Sequence, residues 1–290
     1  MATQVVGTQR TSRPGGIRGS FDALPTRRAG QPVDLRRHVS PDYPVLLFRP
    51  PYGELDLRPA FPEFGGSGAL AGGVLGVQVC RPRVDLYALR AFLRDLIHRR
   101  PEVPVVVLLQ MPPEEAVLAA ARLAALRCRA VIRLGPELPT ILREVLTDPA
   151  TLGRDVVDWL RLRSIRPSPN QADLLERIFT DAPNHSELAT LLGDQHISPS
   201  SARARLRKRG LPPPSRWLQA ARAIHAALRI QARPEASVTA IALQLGFTDH
   251  SALVHLLRRS LGVSVRQIRG TLGWEWLLDR WLRSNRVIPR

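Results

Sequence analysis

Residues 237–269 read SVTAIALQLGFTDHSALVHLLRRSLGVSVRQIR, and their spacing decides the fold of the C-terminal half. Val238, Ile241, Ala242 and Leu245 recur at i, i+3, i+4 and i+7, one apolar stripe of a short helix. Gly246 stops that helix, and Thr248 and Asp249 offer N-cap oxygens to a second helix expected over 250–261. Its inward side is Leu253, Leu256, Leu257 and Leu261, with Arg258 and Arg259 closing its last turn. Two short amphipathic helices joined by a tight turn with glycine form a helix-turn-helix unit.

A second such unit lies upstream. Residues 171–180 predict a support helix with Leu174, Leu175, Ile178 and Phe179 on one side. HSELATLLG (185–193) follows, with Leu188, Ala189 and Leu192 inward and Gly193 at its end. ISPSSARARLRKRG (197–210) then offers Ser198 as N-cap, Pro199 at the first helical position, and Arg203, Arg205, Arg207, Lys208 and Arg209. Ala189-x3-Gly193 repeats Ala242-x3-Gly246, while Ala202 and Leu206 match Leu253 and Leu257. On that alignment the first turn runs longer than the second. Between the units, residues 215–231 predict one continuous helix, roughly 25 Å long at about 1.5 Å per residue.

The 290 residues carry 42 Lys+Arg against 25 Asp+Glu, a formal charge of +17. That balance favours a polyanionic partner, nucleic acid first and an anionic membrane surface second. Lys208 is the only lysine, so the arginine excess partly reflects a genome-wide bias. Cys80 and Cys128 are isolated, without metal-ligand spacing or a disulfide framework. No apolar run reaches the ~18 residues of a membrane span, and the first residues lack a secretory core. The expectation is a cytoplasmic, nucleoid-associated protein with no metal and no cofactor.

Residues 1–40, rich in Gly, Pro, Ser, Thr and Arg, read as a disordered basic arm. Residues 41–150 alternate strands and helices. Strands are expected at 43–48, 75–80, 103–109 and 130–134, and helices at 84–99, 113–126 and 139–146. Strands apolar throughout and separated by helices predict a small parallel sheet covered on both faces. Residues 49–72 read as loop, and GGSGALAGG (65–73) precedes a strand rather than opening a helix, so it is no phosphate cradle. Residues 151–169 make a connecting helix and linker, with Val156, Val157, Leu160 and Ile165 apolar. Arg166-Pro167-Ser168-Pro169 sets the domain boundary. Residues 170–270 hold the paired units. Residues 271–290 form a tryptophan-rich helix and tail, expected to pack on the support helix or a partner subunit.

The A-x3-G-F-x5-L pattern at 242–253, the upstream unit and the linking helix together resemble the DNA-binding domain of AraC/XylS-family transcription activators. Trp217, Leu218, Arg222 and Ala226 sit where that family places an aromatic, a leucine, an arginine and an alanine in its linker. The resemblance covers about a third of the chain. It departs from the family in the longer first turn, in Leu257 for Phe and in Ser264 for Pro. It implies that Ser200, Ser201 and Arg203 of the first recognition helix face base edges, with Arg207 and Lys208 on phosphate. In the second recognition helix it implies His250, Ser251, Val254 and His255 on bases, with Arg258 and Arg259 on phosphate. His185 and His225 are assigned to surface or packing.

The α/β half resembles the second half of a response-regulator receiver, a flavodoxin-like fold. The strand ending at Cys80, however, is followed by Arg81-Pro82-Arg83, and Leu109 by Gln110-Met111. Gly135-Pro136 stands in place of Lys-Pro, so phosphoryl transfer is not expected. No other catalytic signature occurs, and Glu102, Glu114 and Glu115 form no acid/base pair. The expected function is sequence-specific DNA binding in transcription regulation, not enzymatic, with double-stranded DNA, RNA polymerase and a second copy of the chain as partners and no membrane. Two alternatives stand beside it: an interaction adaptor with a degenerate helix-turn-helix, and an α/β small-molecule sensor or enzyme with a helical scaffold.

Overall fold

The computed structural model describes residues 43–48, 58–59, 73–80, 85–123, 128–193, 197–271 and 273–288. The expected arm at 1–40, nearly all of the loop at 49–72, and Arg81-Pro82-Arg83 lie outside these residues.

Five strands form one sheet: β1 (Val45–Phe48), β2 (Arg58–Pro59), β3 (Val74–Val79), β4 (Val105–Leu109) and β5 (Ala130–Arg133), in the order β2-β1-β3-β4-β5. β3, β4 and β5 are parallel, with Val77 opposite Val107 and Val107 opposite Val131. The crossovers are α1 (Leu86–Arg99) and α2 (Pro113–Leu123), which cover one face of the sheet. There Leu89, Leu93, Ala116 and Ala120 pack on Val77, Val107 and Val131. α3 (Leu138–Thr147) covers the other face, where Leu138, Ile141 and Leu142 meet Phe48, Val106 and Ile132. Burial on both sides is why these strands lack polar alternation.

β1 enters the sheet antiparallel to β3, with Leu46 opposite Gly76. The parallel sheet expected from the sequence is therefore corrected to a mixed one. An apolar strand buried on both faces reads the same in either direction, so VLLF carries no signal of its polarity.

The helical half comprises α4 (Leu152–Leu162), α5 (Pro169–Asp181), a 3-10 turn at Ala182–Asn184, α6 (Leu188–Gly193), α7 (Pro199–Arg207), α8 (Pro214–Ala232), α9 (Val238–Gln244), α10 (His250–Leu261), α11 (Val265–Arg269) and α12 (Glu275–Ser284). α8 is its axis. Its alanines 220, 221, 223, 226 and 227 are buried on several sides, which lets neighbouring helices approach closely. Trp217, fully buried, sits between Phe179 of α5 (ring centroids 6.0 Å apart, edge-on) and Trp281 of α12 (4.5 Å).

α4 joins the same core through Val156, Val157, Trp159 and Leu160. Its Gly153 lies so close to α5 that a Cβ there would sit 2.2 Å from the Glu176 carbonyl oxygen. α12 buries Leu277, Leu278, Trp281 and Leu282 in the core that it shares with α5, with its main contacts to α8 and α10. α11 was not foreseen. Ser264, noted only as a departure from proline, is its N-cap in a capping box with Gln267. Among the described residues, no helix is long and apolar enough to cross a membrane.

The two halves meet. Arg143 Nη1 of α3 donates to the Gln231 carbonyl of α8 (3.3 Å), and Trp159 Nε1 of α4 donates to the Pro101 carbonyl ahead of β4.

Candidate nucleic-acid interface

α9 and α10 are set by their caps. Ser237 Oγ accepts from the Ala240 amide (3.1 Å), and Asp249 Oδ1 from the Ala252 amide (2.8 Å). That second bond is the main reason the Asp249 carboxyl is held below its ordinary range. Gly246 turns the chain at φ 74°, a left-handed conformation that costs other residues. The Phe247 amide then donates back to Ala242 (3.0 Å), and the Arg222 guanidinium of α8 lies 5.0 Å from the Phe247 ring centroid. Burial keeps Arg222 below its usual pKa. The linker arginine picked out in the sequence thus supports the turn.

Leu253, Leu257 and Leu261 anchor α10 in the core. Its opposite side exposes His250, Ser251, His255, Arg258 and Arg259, with Val254 half-buried. Ser251, His255 and Arg258 fall at i, i+4 and i+7, so they share one face.

α6 and α7 repeat this geometry in a register that the sequence alignment missed. The Ile197 amide donates to Leu192 (3.2 Å), the counterpart of the Phe247–Ala242 bond. Leu188, Leu191 and Leu192 take the inward places of Val238, Ile241 and Ala242, while Ala189 is exposed. Leu192, not Ala189, is therefore the partner of Ala242. Measured from that pair to the caps Ser198 and Asp249, the first turn is one residue shorter than the second, not longer. The Ala-x3-Gly match that misled the alignment ends at Gly193, which lacks the positive φ of Gly246.

Ser198 Oγ caps α7 by accepting from the Ser201 amide (3.2 Å), and the Ser200 and Ser201 hydroxyls gather around it at 3.0 and 2.9 Å. Ala202 and Leu206 are buried; Ser200, Ser201, Arg203, Arg207 and Lys208 are exposed. Ser200, Arg203 and Arg207 share a face at i, i+3 and i+7. Gln171 Nε2 of α5 donates to the Arg205 carbonyl (2.5 Å), tying α7 to its support. His225 Nε2 of α8 donates to the Phe179 carbonyl (2.7 Å), and burial holds its pKa below the ordinary value. His225 packs, as the sequence suggested.

The sequence candidates thus lie on the outer faces of α7 and α10, each of which packs on α8. The α/β half shows no comparable constellation among its described residues. Gln78, Cys80 and Gln110 meet at the ends of β3 and β4, and Asp85 is engaged in capping α1 through the Tyr87 and Ala88 amides.

Residues 193–271 match the family model of a helix-turn-helix domain. The matched segment runs from the end of α6 through α7, α8, α9, α10 and α11, and carries a domain that binds DNA in transcription regulators. It is the AraC-type helix-turn-helix, consistent with a regulator of the AraC/XylS family. No curated protein and no solved structure matches the chain.

Proposed function

We propose that this chain is a sequence-specific transcription regulator that reads DNA with both helix pairs at once. α7 and α10 would enter successive major grooves on one face of the duplex, about 34 Å apart. α8, with 19 residues and roughly 28 Å of length, holds the pairs in register. The observation that carries this reading is the repeated turn bond, Ile197 to Leu192 and Phe247 to Ala242, each followed by a capped helix with a cationic outer face.

On this reading Ser200, Ser201 and Arg203 of α7, and His250, Ser251, Val254 and His255 of α10, face base edges. Arg207, Lys208, Arg258 and Arg259 neutralise phosphate. Arg203 suits guanine O6/N7, and half-buried Val254 suits a thymine methyl. RNA polymerase and a second copy of the chain are the further partners proposed, and the cytoplasmic nucleoid the place of action. α4 packs into the helical core, so the DNA-binding unit is proposed to begin near residue 150 rather than 170.

Reversing Arg203, Arg207, Arg258 and Arg259 together to Glu tests the face. Loss of DNA binding in a gel-shift titration, with the thermal transition retained, supports it. Unchanged affinity would place the interface elsewhere and move the adaptor reading forward.

A further inference from the structure

α12 belongs to neither helix pair, and the matched domain stops at residue 271, before it begins. Yet it touches two things of consequence. Toward α10, Arg280 Nε donates to the Leu261 carbonyl (3.1 Å) and Nη2 to the Gly262 carbonyl (3.0 Å). These are acceptors at the C-terminal end of the second recognition helix, where a guanidinium also complements the helix dipole. Trp276 lies under the same guanidinium, 5.7 Å away.

At its other end α12 is fastened to the junction with the α/β half. Arg129, which leads into β5, pairs with Glu275 (3.9 Å) and lies 5.6 Å from the Trp274 ring centroid. It also reaches Asp155 of α4 (3.5 Å), and Trp274 packs edge-on against Trp159 at 6.1 Å. One turn further, Asp279 binds Arg163 just after α4 (2.7 Å) and Arg283 (2.5 Å). These carboxylates and Arg129 are nearly all withdrawn from water, a setting in which a lost partner leaves a costly unpaired charge. An arrangement of that kind tends to hold one geometry or switch to another, not to bend smoothly.

We propose that α12 is the strut through which the α/β half sets the pose of the second recognition helix, with Arg280 as the positioning residue. Arg129, Glu275 and Asp279 hold the strut at the junction, and Arg280 passes that placement to the last turn of α10. The proposal rests on the reading of α10 as a base-reading helix. It adds that the two recognition helices are unequal: α10 is under the control of the α/β half, and α7, held by Gln171 of α5, is not.

The test uses the full chain, in wild-type form and as R280A, R280K and R129Q. Amide exchange is followed without DNA, and affinity is measured for duplexes with either half-element scrambled. In R280A, exchange in the 258–262 turn should rise about tenfold while the last turn of α7 stays at the wild-type rate. R280K should fall between, because it can keep one of the two bonds. R129Q, with no contact to α10, should loosen the same turn, and its effect should not add to that of R280A. Should R129Q fail to fold, D279N takes its place. With DNA, R280A should reduce the penalty for scrambling the α10 half-element about tenfold and leave the α7 penalty unchanged.

Equal loss at both helices, or exchange at 258–262 that ignores R129Q and D279N, overturns the strut. A wild-type chain that shows no scrambling penalty at all refutes the DNA reading, and the exchange data then decide the strut alone.

Discussion

Glu275 and His225 are two titratable side chains of the helical core whose pKa values burial displaces, and they push stability in opposite directions. Burial raises the Glu275 carboxyl above its ordinary 4.5, and Arg129 only partly offsets this. Between its unfolded and folded values the folded chain binds more proton than the unfolded one, so this contribution is present below about pH 4.5 and is lost as pH rises through the folded value. Burial lowers His225 beneath its ordinary 6.5, so the unfolded chain takes up a proton that the folded one refuses. Its contribution is present above pH 6.5 and is lost as pH falls. Melting temperatures across pH 4–8 should show E275Q flattening the loss on the rising side and H225Q flattening the loss on the acid side. An E275Q profile parallel to wild type would mean that burial does not raise the Glu275 carboxyl.

At the interface, Arg203 and Arg258 are expected to fail differently. R203A should relax preference at one base position and cost about 1–3 kcal/mol against the preferred site. R258A should weaken all duplexes alike and reduce the salt slope by about one. Competition assays over a range of salt separate the two. Identical behaviour of the pair would undo the assignment of bases to one and phosphate to the other. Exposure of these side chains was legible in the sequence, because the leucines opposite them mark the buried face. Arg280 was not, since its acceptors lie far from it in the chain and belong to a helix end closed by Gly262.

Among the elements, α10 was read to its residue limits because both ends carry chemical signals: Asp249 as cap and Gly262 in the left-handed region at φ 66°. α11 escaped notice because five residues are too few to show a period, and only its Ser264–Gln267 capping box announces it. The register of the first pair was misread for a related reason. A local Ala-x3-Gly coincidence put Ala189 inward, where the packed structure exposes it and buries Leu191 beside Leu192. The polarity of β1 was illegible in principle, since partners on both faces remove the alternation that could have betrayed it.

α4 offers a sharp test of packing. Because the Glu176 carbonyl belongs to a helix backbone and cannot move aside, G153A should destabilise the chain by about 1–3 kcal/mol. Denaturant midpoints measure it. A neutral substitution would mean that α4 and α5 do not approach as described.

On the scale of the whole molecule, a mixed sheet and a helical core are joined by buried ion pairs and tryptophans, and the chain as a whole carries a net charge of +17. Charge alone gives salt-sensitive, unselective attraction to any duplex; on the proposed reading, shape and side chains at α7 and α10 add selection. The two contributions separate in one experiment: selection of bound genomic fragments by the purified full chain, followed by salt titration on the enriched sequences. The expected result is a site with two half-elements about one helical turn apart, bound with a preference that survives as salt rises. Fragments enriched without a common sequence, and released together at modest salt, would contradict paired reading by the two helices.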